Sequence, residues 1–258
     1  MMHVSWHRWT LLGLLFALLL GGCASQPTTE SRERDRRAAA INVDLGLHYL
    51  SNNNLEQARI NLNRALEIDP RYSQAHSAFA LLQVRLNNPE NAERHFKRAL
   101  ELDAEDSFTW NNYGSFLCAQ GRKADAQRAF DKALANPFYR TPEQALTNAG
   151  VCVMETGDNA KAEEYLRRAL DNNPRYTPAL LEMARLTFQA ERYLQTRAFL
   201  SRFTAEQEHT AETLWLCYQA ETAMRNHEAA GNCSVRLKER FPDSRQTAAL
   251  LELERRGR

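Results

Sequence analysis

The stretch Ser107–Arg140, SFTWNNYGSFLCAQGRKADAQRAFDKALANPFYR, decides how the rest of the chain is read. Trp110, Tyr113 and Gly114 open one helix, and Ala126, Phe130 and Ala133 recur at i, i+4 and i+7 along a second. Small residues at Gly114, Ala126 and Ala133 let two antiparallel helices approach closely, so the stretch predicts a helical hairpin. Outward from it, the same pattern returns at a period of about 34 residues. A first copy from Ala39 has Gly46, Tyr49, Ala58, Ala65 and Pro70; a second from Ser73 has Phe79, Ala80, Ala92, Phe96 and Ala99. A fourth from Glu143 has Ala149, Gly150, Ala162, Ala169 and Pro174, after a lengthened connection from Asn136 to Pro142.

Two further copies are degenerate. The one from Thr177 keeps Ala184 but has Thr196 and Phe203 where alanines are expected; the one from Ala211 keeps Ala230 and Pro242 and puts Tyr218 at the small position. The period and the small-residue pattern are those of the tetratricopeptide repeat. The expected fold is all-α: a right-handed tetratricopeptide-repeat superhelix of about six helical hairpins plus a C-terminal capping helix. The repeats should fall near 39–72, 73–106, 107–142, 143–176, 177–210 and 211–242, with the capping helix in 243–258. Such arrays offer a surface to another protein and seldom do chemistry.

The totals agree. Apolar residues make up 43% of the chain, and 33 basic side chains face 32 acidic ones. That balance excludes a nucleic-acid partner, which demands a basic face. Residues 1–22 read as a leader: His3, His7 and Arg8, then the apolar run Leu11 to Leu20, too short for a membrane span of ~20 residues. It ends in Leu20-Gly21-Gly22-Cys23, which looks like a bacterial lipobox with Cys23 as the lipidated residue. An ordinary secretory leader that happens to contain a cysteine is the alternative. Ala24 and Ser25 follow, with no aspartate at the position that commonly retains lipoproteins at the inner membrane, so the expected address is the periplasmic face of the outer membrane. Residues 23–38 are polar and charged and read as a lipidated tether, helical only near its end.

Helix positions that line the concave face of such repeats hold Val43, Leu47 and Leu50 in the first copy, Leu81 and Val84 in the second, Phe108 in the third, and Val151 and Met154 in the fourth. Any of these can be ordinary core. Yet a terminal repeat should be polar outside, and the first copy offers Val43, Leu47 and Leu50, so an apolar or amphipathic segment of a partner protein is expected to dock there. Asn111, Asn112 and Asn148 are read as repeat packing rather than a carboxylate clamp, because matching basic residues are missing from the early helices.

Of the five cysteines, Cys23 aside, Cys118, Cys152, Cys217 and Cys233 remain. An even number in an oxidising compartment allows two disulfides in three pairings. Repeats touch only their neighbours, which leaves Cys118–Cys152 and Cys217–Cys233; buried free thiols are the alternative for each. No close Cys/His spacing points to a metal, and no cofactor, small-molecule substrate or enzyme motif is indicated.

Taken together, the lipobox, the hairpins and the cysteine pair resemble the type IV pilus biogenesis and stability lipoproteins, the PilF/PilW family. The resemblance covers nearly the whole chain. It is most specific in Asn111-Asn112-Tyr113-Gly114 through Cys118, then Asn136-Pro137, Tyr139, Pro142, Ala145, Asn148-Ala149-Gly150 and Cys152. It implies a pilotin. Lipid on Cys23 would supply the outer-membrane address, and the repeat groove would grip the pilus secretin (PilQ type) and promote its localisation and multimerisation. Other pilus assembly proteins are further candidate partners. The rival reading is a periplasmic lipoprotein scaffold for cell-wall enzymes or outer-membrane protein assembly.

Overall fold

The computed structural model describes residues 29–256. Cys23, the leader at 1–22 and the first part of the tether lie outside the described residues. Within them the chain is a succession of α-helices, and no helix is long and apolar enough to cross a membrane. The helices are α1 (Thr29–Ser51), α2 (Leu55–Ile68), α3 (Ser73–Arg85), α4 (Pro89–Leu102), α5 (Ser107–Ala119), α6 (Lys123–Ala135) and α7 (Pro142–Met154). They continue as α8 (Asn159–Asn172), α9 (Thr177–Gln189), α10 (Tyr193–Glu206), α11 (Ala211–Ala223), α12 (His227–Arg240) and α13 (Arg245–Arg256). Two compact units divide the chain after Ala75.

In the first unit α1 packs along α2. The buried residues of α1, Ala39, Val43, Gly46 and Leu50, form one stripe, and Ala58, Leu62 and Ala65 form its counterpart on α2. Gly46 sits where a Cβ would stand 2.5 Å from Leu62 Cγ, so the missing side chain sets how closely the two helices approach. Asn54 caps α2, its side chain accepting from Gln57 N at 3.2 Å. The first helix begins at Thr29, well inside the stretch expected to be tether. Charged residues with good helix propensity and the Glu33–Arg37 pair at i,i+4 explain why a segment with little to bury is nonetheless helical.

In the second unit the hairpins α5/α6, α7/α8, α9/α10 and α11/α12 follow one another. One apolar cluster runs through the successive hairpins, from Ala80 to Phe203, with Phe96, Leu117, Phe130, Leu146, Leu166, Leu180 and Met183 at its centre. Burying each of these large side chains stabilises by about 1.5–3 kcal/mol. Gly114 faces Phe130 and Gly150 faces Leu166, the small-against-large arrangement that Gly46 and Leu62 show in the first unit. The last hairpin inverts the sizes at the corresponding places: Tyr218 lies against the Leu214–Leu237–Leu250 cluster, and Ser234 is small and buried. Leu250 of α13 completes that cluster, and Thr247 donates to Phe241 O at 2.7 Å, fixing α13 over the end of the last hairpin.

The turns show why the sequence changes from copy to copy. Asn88, Asp158 and Asn226 cap α4, α8 and α12 with their side chains. Arg122 and Arg192 stand at the same place before α6 and α10 and make no cap. Instead they reach back to the preceding hairpin: Arg122 Nη1 lies 2.9 Å from Glu93 Oε1, and Arg192 Nη2 lies 2.7 Å from Glu163 Oε2. These copies give up a cap worth about 0.5–2 kcal/mol and gain charged bonds between repeats.

Candidate protein-binding surfaces

In the first unit, Val43 and Leu50 belong to the buried stripe that packs toward α2, so they are core and not an offered surface. This corrects the sequence reading. At 3.6 residues per turn Leu47 falls about 70° to one side of that stripe, and it is 38% exposed. Ile41 and Leu45 are exposed as well, but at 3.6 residues per turn they lie about 120° and 160° around α1 from Leu47, so they do not share its face.

In the second unit, Leu81 is half-buried against the core, while Val84 is exposed. Phe108 is 48% exposed, and its ring meets Tyr139 edge-on at 5.3 Å. Val151 is half-buried, and Met154 packs its side chain against the core. These residues stand on α3, α5 and α7 and keep part of their apolar surface in solvent. Asn148 Nδ2 donates to Asn111 Oδ1 at 3.0 Å, and Asn111 is buried, so the two amides tie α5 to α7.

Both cysteine pairs are bonded. Cys118 of α5 joins Cys152 of α7 with Cα atoms 5.8 Å apart, and Cys217 of α11 joins Cys233 of α12 at 6.1 Å. Lys123 Nζ stands 3.2 Å from Cys118 Sγ and forms an ion pair with Glu155. Among the described residues, no group of three or more His, Cys, Asp or Glu side chains is placed to hold a metal ion.

Several contacts were invisible to the repeat frame. Arg122, Lys97 and the Tyr113 hydroxyl converge on Glu93. The Arg122 guanidinium holds the Glu93 carboxyl down to about 2, and burial, then the Glu93 carboxylate, pushes the Tyr113 phenol up to about 12. Glu163 is held below its ordinary range first by Arg192. The recurrence of Glu93/Arg122 as Glu163/Arg192, each pair separated by 29 residues, was the available signal. His76 and His95 bring their Nδ1 atoms to 3.1 Å, and burial, then His76, pushes His95 down to about 4. Arg185 of α9 bonds Glu182 on its own helix and Glu212 on α11, each at 2.6 Å.

Paired helices, small-residue contacts and partly exposed apolar side chains define a protein-binding tetratricopeptide-repeat protein. Family profiles described as tetratricopeptide repeat match residues 39–72, 73–106, 95–128 and 117–177. The type IV pilus assembly protein PilF of Pseudomonas aeruginosa is 30% identical over 237 residues, 90% of this chain and 94% of its own. The chain belongs to the PilF/PilW family of tetratricopeptide-repeat pilus biogenesis proteins. A solved structure of Pseudomonas aeruginosa PilF superposes with a TM-score of 0.73 at 28% identity, covering 86% of this chain and 98% of that one. One of PilW, a widely conserved type IV pilus biogenesis factor, superposes with a TM-score of 0.75 at 31% identity, covering 83% and 98%. An uncharacterised Haemophilus influenzae protein is 34% identical over 142 residues, 55% of this chain and 78% of its own.

Proposed function

We propose that this chain acts in type IV pilus biogenesis as a pilotin, an outer-membrane lipoprotein that binds the pilus secretin and promotes its localisation and multimerisation. The observation that carries the reading is kinship with PilF along almost the full length of both chains. The lipid would sit on Cys23, ahead of α1, and hold the repeats at the periplasmic face of the outer membrane. More than one acyl chain makes such attachment lasting. An apolar segment of the secretin would dock on α1 at the side where Leu47 is exposed. Apolar positions on the second unit, Leu81, Val84, Phe108, Val151 and Met154, are proposed as contacts for the secretin or other pilus assembly proteins.

The test is deletion of the gene, followed by fractionation of the outer membrane and blotting for secretin monomer and multimer. Lost multimer, restored by the wild-type chain but not by Cys23→Ala, is the expected result. Leu47→Glu should also fail to restore it while leaving the helical signal intact, because the side chain is outside the core. Unchanged multimer in the deletion strain would remove the pilotin reading and promote the scaffold reading.

A further inference from the structure

The repeats after Thr177 carry a surface that the reading above does not use. On α9, Leu181, Arg185 and Phe188 lie on one face at i, i+4 and i+7, each partly exposed. On α11, Glu212 and Trp215 lie on one face at i and i+3, both partly exposed. The two faces are neighbours, because Arg185 Nε donates to Glu212 Oε1 at 2.6 Å. Arg185 also donates to Glu182 at 2.6 Å, and the Glu182 side chain is only 14% exposed. One guanidinium therefore serves two carboxylates, which leaves this group of three one negative charge in excess beside the apolar side chains.

Burial raises the Glu182 carboxyl above its ordinary range; Arg185 opposes this, and Glu212 adds the smallest contribution, upward. A surface with indole, phenyl and leucyl area beside an under-neutralised carboxylate pair selects its occupant by charge as well as by shape. We infer that this strip docks a basic amphipathic segment of a partner protein. The segment lays apolar side chains on Leu181, Phe188 and Trp215 and sets a lysine or arginine against Glu182 and Glu212. The added cation completes a chain of alternating charges in a place already half removed from water. The site is independent of the face around Leu47 and of what docks there.

The test uses the full-length chain in phosphatidylcholine nanodiscs, with p-benzoylphenylalanine in place of Gln219, the next residue along the α11 face. Two short biotinylated helical probes are compared, one of leucine and lysine and one of leucine and glutamate. Light-driven labelling by the leucine–lysine probe should be half-saturated at roughly 10–100 µM, and the leucine–glutamate probe should label no more than a nanodisc-only control. Glu182→Gln with Glu212→Gln should raise the half-saturating concentration about tenfold. Glu212→Gln alone, at a carboxylate open to solvent, should raise it about threefold and keeps the test decisive if the double variant does not fold. Leu47→Glu should leave labelling unchanged. Equal labelling by both probes, wild-type labelling of a folded Glu212→Gln chain, or loss of labelling in Leu47→Glu would each overturn the inference.

Discussion

At the residue scale, packing turns on single atoms. A Cβ added at Gly114 would stand 2.7 Å from a Phe130 ring carbon, while one at Gly150 would meet Leu166 at 3.1 Å. Gly114→Ala should therefore cost about 1–3 kcal/mol, and Gly150→Ala distinctly less; urea unfolding followed by circular dichroism ranks them. The corresponding places hold alanine at Ala80 and Ala184, both fully buried, which shows how little separates a fitting methyl from a clashing one. Acid should act in two stages. His95, ordinarily near 6.5 and pushed down to about 4, stays neutral in the folded chain while the unfolded chain takes up a proton. Its contribution is whole above 6.5 and is lost as pH falls toward 4. Glu93, ordinarily near 4.5 and held at about 2, contributes fully above 4.5 and loses that as pH falls toward 2. Unfolding free energy measured against pH should lose slope between 6.5 and 4 in His95→Asn, and between 4.5 and 2 in Glu93→Gln.

At the element scale, the helices were legible and their sidedness was not. Ala126, Phe130 and Ala133 announced a stripe from their spacing alone, and all three are buried in α6. Val43, Leu47 and Leu50 looked alike as three apolar residues on α1, yet only Leu47 is open to solvent. The repeat frame places a residue on a helix but not its rotation against neighbours, and about 70° of rotation separates core from surface here. The start of α1 was missed for a related reason: burial predicts helices that pack, whereas Thr29 onward is helical through propensity and local charge pairs. The disulfides act at this scale too. Replacing Cys118 and Cys152 by serine should cost about 2–4 kcal/mol in denaturant unfolding under oxidising conditions. That pair closes 34 residues against 16 for Cys217–Cys233, so it should count for more by about 0.7 kcal/mol, other things equal.

At the scale of the molecule, a stack of hairpins must end somewhere. In the second unit α13 does this, laying Leu250 on Leu214 and Leu237 and turning its charged residues outward. Leu250→Ala should leave a cavity over the last hairpin and cost about 2–5 kcal/mol, measured as loss of helical signal in denaturant. A chain ending after Pro242 should bare the same leucines and bind a hydrophobic dye that the complete chain does not. The inversion of sizes at Tyr218 and Ser234 belongs here as well, since Tyr218 turns its bulk toward the cluster that α13 closes. What reads as degeneracy in a repeat is the adaptation of the last hairpin to its cap.

The sequence by itself determined the helical hairpins, their period and the adjacency of the two cysteine pairs, because helical periodicity and nearest-neighbour stacking are local rules that a linear pattern records. It also carried the family, in the order of residues from Asn111 to Cys152. Only the tertiary structure decided which apolar residues of α1 face solvent, that Arg122 and Arg192 serve Glu93 and Glu163 rather than their own helices, and that Glu182 and Glu212 share Arg185. Those facts depend on the rotation and spacing of helices far apart in the chain. Ångström-scale distances set them, and residue identity alone does not encode such distances.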